Sequence, residues 1–123
     1  MSTDVRSATF NLARFCAAAE GRDVETQLSM YAPDAVVTIA DRVNQPAAPQ
    51  KLSGHAEIEG WLKDICAREM THEVTHSVAD ARGGAFAEAC RYPDGTHVAC
   101  ATVFTLAGGQ IADQTVVQAW DES

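Results

Sequence analysis

The sequence predicts an α+β domain in which three helices of the N-terminal half pack on a strongly curved, mostly antiparallel β-sheet. Three observations carry that expectation. Apolar residues recur at three-four spacing in three separate segments between Val5 and Ile65, and the pattern changes period from Thr71 onward. Three stretches of hairpin composition, "DARGG", "YPDGT" and "LAGGQI", punctuate the second half. At 123 residues the chain suits a single domain with room for a core and one modest cavity.

The elements follow in order. Val5, Ala8, Leu12, Phe15 and Ala19 form one stripe behind a Ser-Thr-Asp cluster, which predicts a first helix from about Asp4 to Glu20. "EGRD" ends it and caps a short second helix, about Asp23 to Tyr31, with Val24, Leu28 and Tyr31 on one side. Pro33 stops that helix, and "APDAVVTIAD" reads as a strand rich in β-formers. "RVNQPAAPQK" carries two prolines and no period, as a loop over a pocket would. Ser53 can cap a third helix built on Ile58, Trp61, Leu62 and Ile65, with Glu59–Lys63 and Asp64–Arg68 pairs on its solvent side. Four extended segments then form a meander. Helices first and strands afterwards require the helices to cover one face of the sheet.

Composition excludes some partners. Seventeen acidic residues against nine basic ones give a net charge of -8, with no basic stripe to neutralise a phosphate backbone. No apolar run is long enough to span a membrane. No nucleic acid and no membrane are therefore expected, and the expected location is cytoplasmic. Cys16, Cys66, Cys90 and Cys100 lack zinc-like spacing and read as buried thiols, with a catalytic thiolate at Cys90 or Cys100 as the sharper alternative.

"THEVTHSV", Thr71 to Val78, has two readings. On a helix, His72 and His76 would form a metal-ligand pair. Threonine and valine favour a strand, where residues four apart are separated by about 13 Å, too far to share one ion. No metal or organic cofactor is implied.

The order "YAPDAVV", proline loop, "LSGHAEIEGWL", "MTHEVTHSV", "RYPDGTHV" and "GGQIADQTVVQAWD" resembles the nuclear transport factor 2-like superfamily, especially its SnoaL-like small proteins. The match covers almost the whole chain and is strongest at Tyr31–Ala35, at Gly54 and at Gly109-Gln110-Ile111. The resemblance implies a cystatin-like cone of helices and bent sheet around a pocket. Such proteins include isomerases, dehydratases, polyketide cyclases, epoxide hydrolases and non-enzymatic binders. Where the steroid isomerases have an oxyanion-hole tyrosine, this chain has Phe15. Their aspartate base falls at Ile39 and their second acid at Thr102. Without a base or an oxyanion donor, that isomerisation has no chemistry to run on. The Asp-Arg-Asp set of the epoxide hydrolases is not apparent.

Strand register follows from the turns. A type I turn with a Gly95 bulge in "YPDGT" places Tyr92 opposite Thr96, Cys90 opposite Val98, Glu88 opposite Cys100 and Phe86 opposite Thr102. The same geometry in "DARGG" places Asp80 opposite Gly84, hence His76 opposite Glu88 and His72 opposite Tyr92. The bulkier face, with Val74, Val78, Phe86, Cys90, Val98 and Phe104, is expected under the helices. Thr71, Thr75, Ala87, Ala89, Ala99, Ala101 and Val103 form a flat outer face suited to a homodimer.

Glu88 is then an acid on an apolar face, with His76 as the donor in reach. One reading makes this a satisfied structural pair. In the other, His76 is a general acid/base oriented by Glu88, and His72, Tyr92, Thr102, Cys100, Trp61 and Gln118 contact a small apolar or oxygenated ligand. Asp41, Asp113 and Gln114 are weaker candidates, and helical spacing also suits Trp61 and Tyr31 to the core. The expected function is lyase, isomerase or cyclase chemistry, or binding, in that pocket. A dimerisation module with a filled core is the alternative.

Overall fold

The computed structural model describes residues 9–121. In chain order it comprises α1 (Leu12–Glu20), α2 (Val24–Ser29), β1 (Tyr31–Ala40), β2 (Gln50–Ser53), α3 (Gly54–Ala67), β3 (Thr71–Ala79), β4 (Gly83–Arg91), β5 (His97–Ala107) and β6 (Gln110–Trp120). The strands form one six-stranded sheet in the order β2-β1-β6-β5-β4-β3. Every pairing is antiparallel except β1 with β6. Three helices on one face of a curved, mostly antiparallel sheet are the α+β cone that the sequence predicts.

Boundaries differ where a local cap overrides periodicity. Thr9, Phe10 and Asn11 are not helical, and Asn11 is the N-cap of α1, its Oδ1 accepting from Arg14 N at 3.0 Å. The Ser-Thr-Asp cluster and the expected start at Asp4 lie outside the described residues. Asp23 caps α2 in the same way, accepting from Thr26 N at 3.0 Å. Tyr31 belongs to β1 and not to α2, because Ile111 N donates to Met30 O and brings Tyr31 alongside β6. The end of the proline segment is a strand, β2, which pairs with β1 at Val37–Leu52. Ser53 precedes α3 without a side-chain cap bond, and Glu57 Oε1 accepts from Ser53 N at 2.7 Å instead.

The core lies between α1, α3 and the concave face of the sheet. Phe15, Val37, Ile39, Ile58 and Ile111 are within 1 % of full burial. Phe15 meets Phe86 and Tyr31 edge-on, with centroids 5.7 and 6.0 Å apart, so α1 seals one end of the cone with aromatic rings. All four cysteines are free, Cys90 and Cys100 buried and Cys16 and Cys66 half-buried. No helix among the described residues is long and apolar enough to cross a membrane.

Candidate functional site

The turn at Tyr92–Thr96 forms as its sequence dictates. Tyr92 N donates to Thr96 O at 2.9 Å and Gly95 N to Tyr92 O at 3.0 Å, with Gly95 at φ 94°. The expected pairs Phe86–Thr102, Glu88–Cys100 and Cys90–Val98 follow.

The other hairpin is where the expected site changes. Asp80 N donates to Gly83 O, and Ala79 pairs with Gly84, one residue out of step with the expected register. A bulge at Thr75 then shifts the ladder again, so that Val74 pairs with Glu88 and His72 with Cys90. The bulge also reverses the alternation of faces. His72 and Val74 point inward, whereas His76 and Val78 lie exposed on the outer face, Val78 at 69 %. The expected pair of His76 with Glu88 is therefore corrected: His76 is opposite Ala87, its Nδ1 beside Thr75 Oγ1. His72 faces Cys90 and not Tyr92.

A cavity of about 70 Å³ lies between α1, α3 and the concave face. Phe15, Phe86, Leu62, Val98 and Val116 give it apolar walls. Trp61, Arg68, Gln118 and Trp120 belong both to it and to an outer groove, and so mark its mouth. Aromatic and guanidinium groups build that mouth. Tyr92 stacks on Trp120 at 5.7 Å, Arg42 lies 4.1 Å from the Trp120 ring centroid, and Arg68 donates to Tyr92 Oη at 3.0 Å. Arg68 is fixed in turn by Asp64 at 2.6 Å.

The polar pole of the cavity is a cluster of three side chains. His72 Nδ1 is 3.4 Å from Cys90 Sγ and 3.6 Å from Glu88 Oε2. Both side chains of the His72–Glu88 pair are largely covered, with 7 % and 14 % exposed. Contact with Cys90, and then with Glu88, holds the His72 imidazolium up to about 9 against the opposing effect of burial. Cys90 is brought down to about 6, first by the Cys100 thiol and then by His72, while Cys100 is pushed well above its ordinary value as the partner that keeps its proton. His72 Nε2 is buried with no hydrogen-bond partner. A second polar pair lies deeper, where buried Tyr31 Oη donates to Gln114 Oε1 at 3.1 Å and burial raises the Tyr31 phenol.

Of the residues singled out from sequence, Glu88, His72, Tyr92, Thr102, Cys100, Trp61 and Gln118 all line this cavity, and His76 does not. Asp41 holds its own loop, accepting from Val43 N and Asn44 N, and Asp113 is exposed. Sequence reasoning gave Cys90 no place beside a histidine and underweighted Tyr31 and Gln114. The alternation Gln114, Val116, Gln118 on the last strand was the available sign that Gln114 faces inward. Phe15 and Thr102 line the cavity, whereas Ile39 is a core residue beside the outer groove.

Relatives agree with this architecture. The sequence profile of the SnoaL-like domain matches residues 12–114. No curated protein matches the chain. An NTF-2 like protein from Burkholderia xenovorans is similar in structure at TM-score 0.72 and 14% identity, over 99% of this chain and 86% of that one. The epoxide hydrolase/cyclase-like enzyme SalBIII, of pyran ring formation in polyether salinomycin, is similar at TM-score 0.68 and 23% identity, over 88% and 87%. A steroid delta-isomerase from Pseudomonas aeruginosa is similar at TM-score 0.68 and 16% identity, over 97% and 81%. With the profile spanning most of the residues that build the cone, the chain belongs to the SnoaL-like domain family.

Proposed function

We propose that this protein takes a compact, apolar, oxygenated small molecule into its cavity and performs lyase, isomerase or cyclase chemistry on it at His72. The observation that carries this reading is His72 Nε2, buried and without a partner. An unsatisfied buried polar group costs about 1–3 kcal/mol, which a ligand oxygen placed against it would recover. Because Cys90 and Glu88 both approach Nδ1, they hold the ring in place and leave Nε2 to face a ligand. A carbonyl oxygen accepting from Nε2–H would be polarised, and negative charge developing on that oxygen would meet a preorganised donor in an apolar site. The apolar walls of Phe15, Phe86, Leu62, Val98 and Val116 favour a hydrocarbon body. The volume of 70 Å³ is well below the roughly 300–1,000 Å³ of ordinary ligand pockets, so the ligand is small.

Titration with cyclopentanone, cyclohexanone and cyclohexenone, followed by NMR of the histidine and aromatic side chains, tests the reading. Saturable shifts at His72, Phe86 and Trp61, with His76 unmoved, are expected. Shifts confined to His76 and the outer face, or none with any of the three, would remove it.

The outer face supports a second inference, a homodimer. Val78, Val103 and Val117 are 69 %, 58 % and 52 % exposed there, a larger apolar surface than the cavity needs.

A further inference from the structure

Glu88 and Cys90 are two residues apart on β4, and His72 is the cross-strand partner of Cys90 on β3. The ladder thus fixes three donors of different chemistry beside the cavity. We propose that His72 Nδ1, Glu88 Oε2 and Cys90 Sγ form a binding site for a divalent transition-metal ion, zinc by preference.

Two separations fit directly, Nδ1 to Sγ at 3.4 Å and Nδ1 to Oε2 at 3.6 Å, and the three residues each offer one ligand atom within 4.8 Å of the others. Zinc bonds of about 2.0–2.3 Å at tetrahedral angles place nitrogen, oxygen and sulfur donors roughly 3.3–3.6 Å apart.

The arrangement differs from that of a catalytic triad. There, the nucleophile and the carboxylate use opposite nitrogens of the histidine. Here both converge on the same nitrogen. Charge points the same way, since an ion that displaces the Nδ1 proton of His72 would meet two negative charges, a carboxylate and a thiolate. A sulfur donor selects zinc or cobalt over magnesium or calcium.

Cys100, opposite Glu88 on β5, touches Cys90 and lies outside the three-donor set; a fourth tetrahedral position would be taken by water. The His72 side chain is 7 % exposed, lines the cavity and has an unpartnered Nε2. A metal on Nδ1 fixes the proton on Nε2 and keeps that atom a donor. The inference goes beyond the ketone-binding reading and shares none of its test.

The experiment is cobalt(II) and zinc(II) titration of the full chain after dialysis against a chelator. We expect one cobalt ion per chain, with a thiolate-to-cobalt charge-transfer band and the intense visible bands of tetrahedral cobalt. Cys90→Ser should abolish the charge-transfer band. Glu88→Gln, nearly isosteric and checked for folding by circular dichroism, should weaken zinc binding by at least about tenfold while keeping the band. His76→Gln and the double variant Cys16→Ser/Cys66→Ser should match the parent. A charge-transfer band that survives Cys90→Ser, a zinc affinity indifferent to Glu88→Gln, or the absence of saturable binding would each overturn the inference. Ketone binding that persists in chelator while cobalt fails to bind would remove the metal and leave the pocket. The reverse result would remove the pocket and leave the metal.

Discussion

At the scale of single residues, the molecule turns on which histidine faces inward. The sequence pointed to Glu88 as an acid on an apolar face and to His76 as its partner; Glu88 does line the cavity, but the histidine beside it is His72. It named His76 and not His72, because alternation was carried through Thr75 without a break. Glu20 Oε2 accepts from Val74 N at 2.8 Å beside the bulge, a contact between residues 54 apart that no local pattern encodes. His76→Gln is therefore expected to leave the binding of a small ketone unchanged. His72→Gln should weaken it by about tenfold or more, the loss of a hydrogen bond in a dry site. Isothermal titration calorimetry of the two variants side by side checks this. Phe86, 7 % exposed and in edge contact with Phe15, carries the packing between α1 and β4. Phe86→Ala should cost about 3–5 kcal/mol in urea unfolding, since the neighbouring cavity already limits how far the walls can close. Turnover of a β,γ-unsaturated ketosteroid is expected to be absent in a direct absorbance assay. Phe15 and Ile39, buried and apolar, stand where the resemblance to steroid isomerases places their donor and base.

At the scale of elements, turns with explicit glycine chemistry were legible and the bulged edge was not. "YPDGT" forms the expected turn because Gly95 takes a positive φ at low cost. In "DARGG" the glycines do something else: they allow strands to approach. A Cβ on Gly83 would come within 2.3 Å of Phe104 O, and one on Gly84 within 2.4 Å of Val78 O. Gly83→Ala should accordingly destabilise the fold by about 1–3 kcal/mol through overpacking against backbone. Asn11→Ala, which removes the cap of α1, should cost about 1 kcal/mol. Thermal or urea unfolding of the two variants ranks these effects, and the larger loss belongs to the hairpin. The cap escaped the sequence reading because the apolar stripe continues upstream through Ala8 and Val5, so periodicity alone gave no reason to start at Leu12.

At the scale of the whole molecule, the two faces of the sheet carry different tasks. The concave face holds His72, Glu88 and Cys90 of the candidate site, and the convex face carries small and β-branched residues. Ala99, Ala101, Val103 and Val117 are exposed there on β5 and β6, the two central antiparallel strands. A stable dimer removes roughly 800 Å² from each partner, which an apolar patch across several strands can supply. Self-association through one such patch is isologous, so a single charged substitution is felt twice across a two-fold axis. We therefore expect light scattering to report a dimer at micromolar concentration. Val103→Lys combined with Val117→Lys should give a folded monomer, with the cavity binding the same ketones as before because neither residue reaches it. A parent chain that is monomeric throughout that range would remove the interface. A double variant that remains dimeric would place the interface elsewhere, on a surface that alternation along β5 and β6 does not select.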